Sequence, residues 1–279
     1  MPERRGQLRE RQSAQTAWAF FRVGYVDAVS YPLTFLTNQL IPLSSVFLLY
    51  FLAKIIVEDD ALVAGDYFTY AMLGNIVLRV LGAGLESLGM FMQRTIDQGQ
   101  LELYLTQPVR WGVLPFAWFE WLLVERVISS LFVFAVAVML GTHIDLARIV
   151  PALVVLALGT AATHALGILA ASFRLLAKRA DPVMTLYTIG TTILSGVMFP
   201  VKLLPDPLRW LSWLLPHTYT VDAVRQLVMP GAGRASAQFS ITEAVLALVV
   251  YCAIAYPLAI FAFRRSIEFA REHGLVGSY

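Results

Sequence analysis

Three lysines are the only residues in this chain able to serve a nucleotide-binding loop of the Walker type. Such a loop ends in Gly-Lys followed by Ser or Thr, because the lysine reaches the terminal phosphates and the hydroxyl binds magnesium. Here Lys54 is followed by Ile, Lys178 by Arg and Lys202 by Leu. The sequence therefore excludes ATP binding through this motif.

Other side chains capable of catalysis show no spacing typical of an active site. A Gly-x-Ser-x-Gly elbow is absent, and no His-Glu-x-x-His pattern occurs among the histidines. The four histidines are His143, His164, His217 and His273. We predict no catalytic residue and no metal ligand, so the chain is not expected to be an enzyme. A membrane enzyme with dispersed catalytic residues stays open as a rival interpretation.

Four charged residues lie inside apolar stretches, where an ionised side chain is costly unless it meets a partner or a wet cavity. They are Arg79, Glu86, Glu125 and Arg126. Arg79 and Glu86 share a helical face but stand two turns apart, so a partner from another helix is needed. Antiparallel packing would bring Glu125 and Arg126 to that depth, and we predict pairing among the four. The pairing either fixes helix packing alone or also contacts substrate.

A second set of polar side chains forms a hydroxyl stripe at helical spacing. It consists of Thr185, Thr188, Thr192 and Ser195. Hydroxyls and small residues mark helix contacts in lipid, and Gly190 and Gly196 would allow close approach there. The stripe is therefore either a subunit interface or part of a polar translocation path.

The composition indicates which elements hold these residues. Hydrophobic residues make up 58% of the 279 residues, charged residues 14%, and the mean hydropathy is +0.68. The apolar residues cluster in stretches close to the roughly 20 that a helix needs to cross a bilayer. We predict an all-α polytopic protein with six transmembrane helices. The predicted spans are 33–57, 67–92, 111–140, 149–173, 182–200 and 242–263, the last opened by Thr242 as N-cap.

Basic residues fall mostly in one of the two sets of loops that six spans create. By the positive-inside rule both termini are predicted to be cytoplasmic, in the plasma membrane. Residues 1–30 are predicted to be an N-terminal cytoplasmic segment with an interfacial helix from residue 16, or alternatively a solvated tail. Residues 31–279 would form the transmembrane domain. The net charge of +2 is not concentrated in a stripe, so nucleic acid is not an expected partner.

Two segments outside the spans carry patterns of their own. Residues 94–109 are amphipathic, with Leu101, Tyr104 and Leu105 on one side and Pro108 ending the pattern. This is typical of a short helix that presents an apolar surface to a cytosolic partner, or of one packed on its own bundle. Residues 194–225 are divided by prolines into pieces too short to span, and we expect them to enter the outer leaflet and return. The residues behind this expectation are Pro200, Pro205, Trp210, Trp213 and Pro216.

The order of these motifs resembles that of the ABC-2 permease family. The resemblance is carried by Gly99-Gln-Leu-Glu102, Thr106-Gln-Pro-Val109, Ser195-Gly-Val-Met-Phe-Pro200, Leu204-Pro205 and Leu215-Pro-His-Thr-Tyr219, leading to Arg225. It covers nearly the whole chain and implies a membrane subunit that exports a drug, a lipid or a glycan-linked molecule.

The resemblance also implies how the chain would work. The segment with Gly99, Leu101, Glu102, Tyr104, Leu105 and Pro108 would dock on an ATPase carried by a separate subunit. ATP and magnesium would be bound there, so no cofactor is expected on this chain. A second permease subunit, identical or homologous, would complete the complex, and the amphipathic substrate would cross by alternating access. A self-sufficient channel or secondary transporter is the rival of a different class, although the sequence shows no internal repeat that would favour it.

Overall fold

A computed structural model describes residues 2–56, 61–98, 113–177, 181–229 and 231–272, and within these ranges the regular elements are all helices. We number the α-helices in chain order. They are α1 (Pro2–Ser30), α2 (Pro32–Leu40), α3 (Leu43–Ile56), α4 (Ala61–Asp97), α5 (Leu114–Met139), α6 (Ile149–Ala177), α7 (Asp181–Leu194), α8 (Asp206–Trp213), α9 (Pro216–Val228), α10 (Ala232–Ser236) and α11 (Ile241–Glu272).

Five helical stretches of the described chain are long and apolar enough to cross a membrane. They are Pro32–Ile55, Asp66–Thr95, Leu114–Met139, Leu146–Arg174 and Ile241–Phe269. Each corresponds to one of the predicted spans, so the prediction of an all-helical multi-pass membrane protein is confirmed.

The predicted span 182–200 has a shorter counterpart. Helix α7 contains 14 residues, or about 21 Å at 1.5 Å per residue, against a hydrocarbon core of about 30 Å. The chain leaves the helix after Leu194, and Gly196 adopts a φ of +76° that residues other than glycine rarely accept. Five spans rather than six therefore meet the requirements of length and hydropathy.

The first span is divided by a proline. Helix α2 ends at Leu40 and α3 begins at Leu43, with Pro42 between them. Proline has no N–H to continue the helical hydrogen-bond ladder. The Ile41 and Pro42 carbonyls accept from the backbone N–H groups of Ser44 and Ser45 and also from their hydroxyls, at 2.7 and 2.6 Å, so the chain turns into α3 without unsatisfied acceptors at these two residues.

Helix α4 is the centre of the bundle. It packs against α3, α5, α6 and α9, and it contributes residues to all three apolar clusters of the core. One cluster joins Leu81 to α6, α9 and α11, the second joins Leu88 to α6 and α11, and the third joins Met72 to α3 and α5. Helices α3, α5, α6 and α9 are therefore positioned against α4.

Helices α4 and α6 cross at a point where only glycine fits. A Cβ on Gly84 would lie 2.6 Å from the Thr163 hydroxyl and 2.7 Å from the Thr160 carbonyl. The Thr163 hydroxyl donates to the Leu81 carbonyl at 3.0 Å across this crossing. Small residues let helix backbones approach closely in lipid, where van der Waals packing supplies much of the association.

Helix α1 packs on α5 through aromatic side chains. The Phe21 and Trp121 rings meet edge-to-face, and Gly24 lies against the indole.

Helix α11 begins with Ser240 as its cap, because the Ser240 backbone N–H donates to Glu243 and the Glu243 N–H donates to the Ser240 hydroxyl. The prediction that Thr242 is the N-cap was wrong. The reciprocal Ser-x-x-Glu pair satisfies two backbone N–H groups at once.

Replacing Gly84 with alanine tests the close crossing of α4 and α6. We expect Gly84→Ala to lower the unfolding free energy by about 1–3 kcal/mol, because the added methyl meets atoms on α6 that cannot move independently. Thermal unfolding in detergent measures the loss. Gly190→Ala is the matched control, since a Cβ there meets nothing within 4 Å. Equal stability of the two variants would contradict the crossing described here.

Candidate functional site

One face of α4 is polar and only half-buried along the length of the membrane span. Its members are Asn75, Arg79, Gly82, Glu86 and Gln93. At 100° per residue these positions fall within about 60° of arc, so they form one stripe. Most of the neighbouring residues of the helix are buried in the three apolar clusters. The core helix therefore presents an accessible polar line across a hydrophobic bundle.

An ion pair links this stripe to α5. Nη2 of Arg126 donates to Oε2 of Glu86 at 2.7 Å, and the two side chains keep 30% and 36% of their surface exposed. Arg79 lies close enough to interact electrostatically with both groups. Its Nε is buried, and no hydrogen bond joins it to any described residue. Glu86 thus lies near two guanidinium groups and is hydrogen-bonded to one of them, that of Arg126.

The four intramembrane charges are therefore brought together only in part. Glu86 and Arg126 are paired, Arg79 lies beside them without a hydrogen bond, and Glu125 forms neither a hydrogen bond nor an ion pair within the described chain. Glu125 and Arg126 are adjacent on a helix and point about 100° apart, so only one of them can face Glu86.

A cleft of about 310 Å³ opens beside Glu86, between α4, α6 and α7. Its described lining is mostly apolar, with Glu86, Arg174 and two threonines as polar members. The lining residues are Leu85, Glu86, Gly89, Met90, Ala170, Ala171, Arg174, Thr185, Thr188 and Ile189. Nη1 of Arg174 donates to the Gly89 carbonyl at 3.0 Å, which ties α6 to α4 at this end of the cleft. The volume is at the lower end of the range for small-molecule sites.

The hydroxyl stripe of α7 divides at this cleft. Thr185 and Thr188 line it, whereas the Thr192 hydroxyl donates to the Thr188 carbonyl at 2.9 Å and the Ser195 hydroxyl donates to the Thr191 carbonyl. The hydroxyls of Thr192 and Ser195 are therefore hydrogen-bonded within their own helix. Both interpretations of the stripe, a polar path and a subunit interface, stay predictions.

The segment after α7 is attached to the bundle by Arg225 of α9, which is 2% exposed. Its guanidinium donates to the Tyr70 carbonyl at 2.8 Å, to the Gly196 carbonyl at 2.6 Å and to the Val197 carbonyl at 2.6 Å. It also lies 3.5 Å from the centroid of the Tyr70 ring. Hydrogen bonds from a charged donor are among the stronger ones. A single side chain thus joins α4, the turn after α7, and α9.

Asp222, on the same helix as Arg225, attaches α9 to the chain before α11. Oδ2 of Asp222 accepts from the backbone N–H groups of Gln238 and Phe239 at 3.0 and 2.9 Å. Nε2 of Gln226 donates to the Phe239 carbonyl at 2.8 Å. Helix α9 is therefore fixed both to α4 and to the chain that enters α11.

The proline-divided segment contains two short helices, α8 with 8 residues and α9 with 13. Pro200 precedes a 3-10 turn, Pro205 precedes α8, and Pro216 is the first residue of α9. Trp210 and Trp213 are exposed. Neither helix reaches about 30 Å, so this segment does not cross a bilayer by itself. Its entry into the outer leaflet stays a prediction.

The predicted docking residues lie outside the described ranges. These are Gly99, Leu101, Glu102, Tyr104, Leu105 and Pro108, and the structure gives no account of them. The described chain does place the ends of the flanking helices, since α4 ends at Asp97 and α5 begins at Leu114.

The buried histidine of α6 has a local role. Nε2 of His164 lies 3.1 Å from the Pro115 carbonyl and Nδ1 lies 3.1 Å from the Tyr256 hydroxyl. Since a carbonyl can only accept, Nε2 carries the proton and Nδ1 accepts from the tyrosine. The described side chains include no group of three or more His, Cys, Asp or Glu placed to hold a metal ion.

Sequence reasoning missed two polar members of the α4 stripe, Asn75 and Gln93, and its glycine, Gly82, as well as the role of Arg225. Asn75 and Gln93 are in helical register with Arg79 and Glu86, so the spacing contained the signal. Arg225 was part of a recognised motif, but its partner Tyr70 is 155 residues away. No local pattern predicts that contact.

Comparison with protein-family models matches residues 105–229 to the ABC-2 type transporter model. The matched region includes α5 to α9 and therefore Arg126, the hydroxyl stripe and Arg225. The resemblance inferred from the sequence motifs is confirmed over this region. No curated protein matches the chain.

Removing the guanidinium of Arg225 tests its role as a structural link. We expect Arg225→Gln to lower the unfolding free energy by about 3 kcal/mol, because buried carbonyls lose charged donors. Unfolding in mixed micelles measures the change. Arg234→Gln, at an exposed arginine that follows α9, is the control and should stay within about 0.5 kcal/mol of the parent. A mild effect at Arg225 would show that other contacts hold α9.

A double-mutant cycle on Glu86 and Arg126 tests the shared carboxylate. We expect a coupling of about 1 kcal/mol, typical of polar pairs between membrane helices. Glu86→Gln should cost more than Arg126→Gln, because it deprives two guanidinium groups of their counter-charge while Arg79 can still approach Glu86 in the second variant. Glu125→Gln is the control. A coupling near zero, or equal costs for the two single variants, would refute the arrangement.

Proposed function

Because the chain carries an ABC-2 type transporter domain over residues 105–229, we propose that it is the permease subunit of an ATP-driven exporter. It provides the membrane path for an amphipathic substrate, and a separate ATPase subunit provides the energy. The observation that carries the proposal is the polar stripe on α4, a line of accessible polar groups on the most central helix of an apolar bundle.

The stripe supports transport because it lowers the cost of moving a polar group through hydrocarbon. Asn75, Arg79 and Glu86 offer hydrogen bonds and charges at successive depths, with about 6 Å between the first two and about 10 Å between the second pair. Intramembrane ionisable residues usually mark substrate or ion pathways. The cleft beside Glu86 gives the substrate a place to enter from the side of α7.

Coupling to the ATPase follows from the position of residues 99–112. This segment connects α4 to α5, the two helices joined by the Glu86–Arg126 ion pair. A force applied to the segment therefore acts on both walls of the polar stripe. Nucleotide binding would bring two ATPase subunits together and push this connection, and the bundle would alternate its access.

The complete transporter has two permease subunits and two ATPase subunits in this proposal. Both termini face the cytoplasm, and the chain lies in the plasma membrane. Helix α7 together with the turn after it forms one further span, which lies fifth in chain order and brings the total to six. Helices α8 and α9 form the external re-entrant segment. The exposed threonines of α7 face either the path or the second permease subunit.

Reconstitution of the chain with and without a partner ATPase subunit tests the proposal. The ATPase should hydrolyse ATP faster in the presence of the permease and its substrate, and transport should require both chains. Substrate movement by the permease alone, down a gradient, would identify a channel or secondary transporter instead.

Shortening one apolar side chain tests the docking segment. We expect Leu105→Ala to weaken the association with the ATPase by about tenfold, since burial of a leucine contributes about 1.5–3 kcal/mol. Co-purification and stimulated hydrolysis measure the effect. Leu146→Ala is the matched control, because Leu146 is exposed in the loop before α6 and should not contact the ATPase. Equal effects of the two changes would remove the basis for docking at residues 99–108.

A further inference from the structure

Arg79 is an intramembrane cation whose position the described part of the fold does not explain. It lies near the middle of the span Asp66–Thr95, about 20 Å along the helix from Asp66 and about 24 Å from Thr95. Its Nε is buried, and it makes no hydrogen bond within the described chain. An unpaired guanidinium at this depth opposes folding, because a charge in hydrocarbon is stabilised only by a partner or by water.

The charges around Arg79 leave one positive charge uncompensated. Glu86 is the acid that interacts with it, and that carboxylate already accepts a 2.7 Å hydrogen bond from Arg126. Arg126 also repels Arg79. The other acid nearby in sequence, Glu125, forms no ion pair in the described part of α5. The cluster therefore lacks one anionic group.

The surroundings of the cluster suit an anion that carries an apolar chain. The cleft that contains Glu86 is lined by apolar side chains of α4 and α6, and its wall on α7 includes Ile189. Leu186, Ile189 and Ile193 follow one another at spacings of three and four and are exposed. They form an apolar strip on α7 beside the cleft, along which a hydrocarbon chain can lie.

We propose that Arg79 of α4 and Arg126 of α5 bind the oxyanion head of an anionic amphipath whose tail lies along the apolar strip of α7. Guanidinium groups present paired N–H donors that match the oxygens of a phosphate or a carboxylate. Glu86 holds Arg126 in place through the ion pair. Its negative charge also lowers the affinity of the site for the anion, so that the anion can dissociate. This inference rests on the proposed function and gives the substrate a negative charge.

Binding to the purified chain without any ATPase tests the proposal. Dioctanoyl phosphatidic acid is titrated onto the detergent-solubilised protein, and its dissociation constant is obtained from native mass spectrometry. We expect saturable binding that Arg79→Gln weakens by about tenfold or more, since a charge-assisted pair is lost. Arg148→Gln is the control, because Arg148 is exposed in the loop before α6.

Two further variants separate a ligand contact from a structural role. Without lipid, Arg79→Gln should unfold at the same temperature as the parent or higher, since it removes a half-buried charge that has no hydrogen-bond partner within the described chain. If Arg79 instead stabilised the fold, Arg79→Gln would unfold at a lower temperature than the parent. Glu86→Gln should strengthen phosphatidic acid binding by a few-fold, because the competing carboxylate is gone. Loss of stability in Arg79→Gln, or weaker binding in Glu86→Gln, overturns the proposal.

Two ligand controls identify the source of the anion. Dioctanoyl phosphatidylcholine has the same tails without net charge, and inorganic phosphate has the charge without tails. We expect neither to compete with phosphatidic acid at equal concentration. Full competition by inorganic phosphate would assign the site to a free anion, and equal binding of phosphatidylcholine would assign it to lipid tails alone. These results do not depend on ATPase stimulation, so the inference and the proposed function fail separately.

Discussion

The buried guanidinium of Arg225 is the interaction on which the rest of the structure depends. It donates to carbonyls of Tyr70 and of the turn at Gly196 and Val197, so it holds α9 against α4 and closes the end of α7. The apolar cluster that contains Leu81 forms around this contact, with α6 and α11 on its other sides. A short helix that crosses no bilayer is in this way part of the core, and it fixes one end of the bundle.

Around Glu86 the helices are packed less closely than around Arg225. Helix α7 packs mainly on α8, and a cleft separates it from α4 and α6. The polar stripe of α4 is accessible for that reason. One end of α7 is thus held by the turn that binds Arg225, while its other end lines an open space with Thr185 and Thr188. A helix held at one end leaves the cleft open at the other, and the core cluster around Leu81 does not include any residue of α7.

Hydropathy and spacing predicted much of the fold, since the cost of exposing backbone to lipid leaves few alternatives. Hydropathy alone located the five long spans, and the need of Glu86 for a partner on another helix followed from the cost of a charge in lipid, whereas the helix break at Pro42 was not predicted. The cap of α11 was placed two residues late, because Thr242 and Ser240 both precede the apolar run and only the reciprocal bond with Glu243 distinguishes them. The contacts of Arg225 and the unpaired state of Arg79 depend on residues far away in the chain, and no local pattern contains them. The docking residues stay a prediction from the resemblance.

The absence of a side chain at Gly74 has a consequence for how this sequence can change. A Cβ there would meet Nη2 of Arg225 and would lie 2.7 Å from the Val197 carbonyl. A methyl group at position 74 and a guanidinium at position 225 therefore exclude each other in space. A side chain at position 74 fits this fold only if the Arg225 guanidinium and the Val197 carbonyl both move, so the smallest residue is required at a point 151 positions away in number from the arginine that it accommodates.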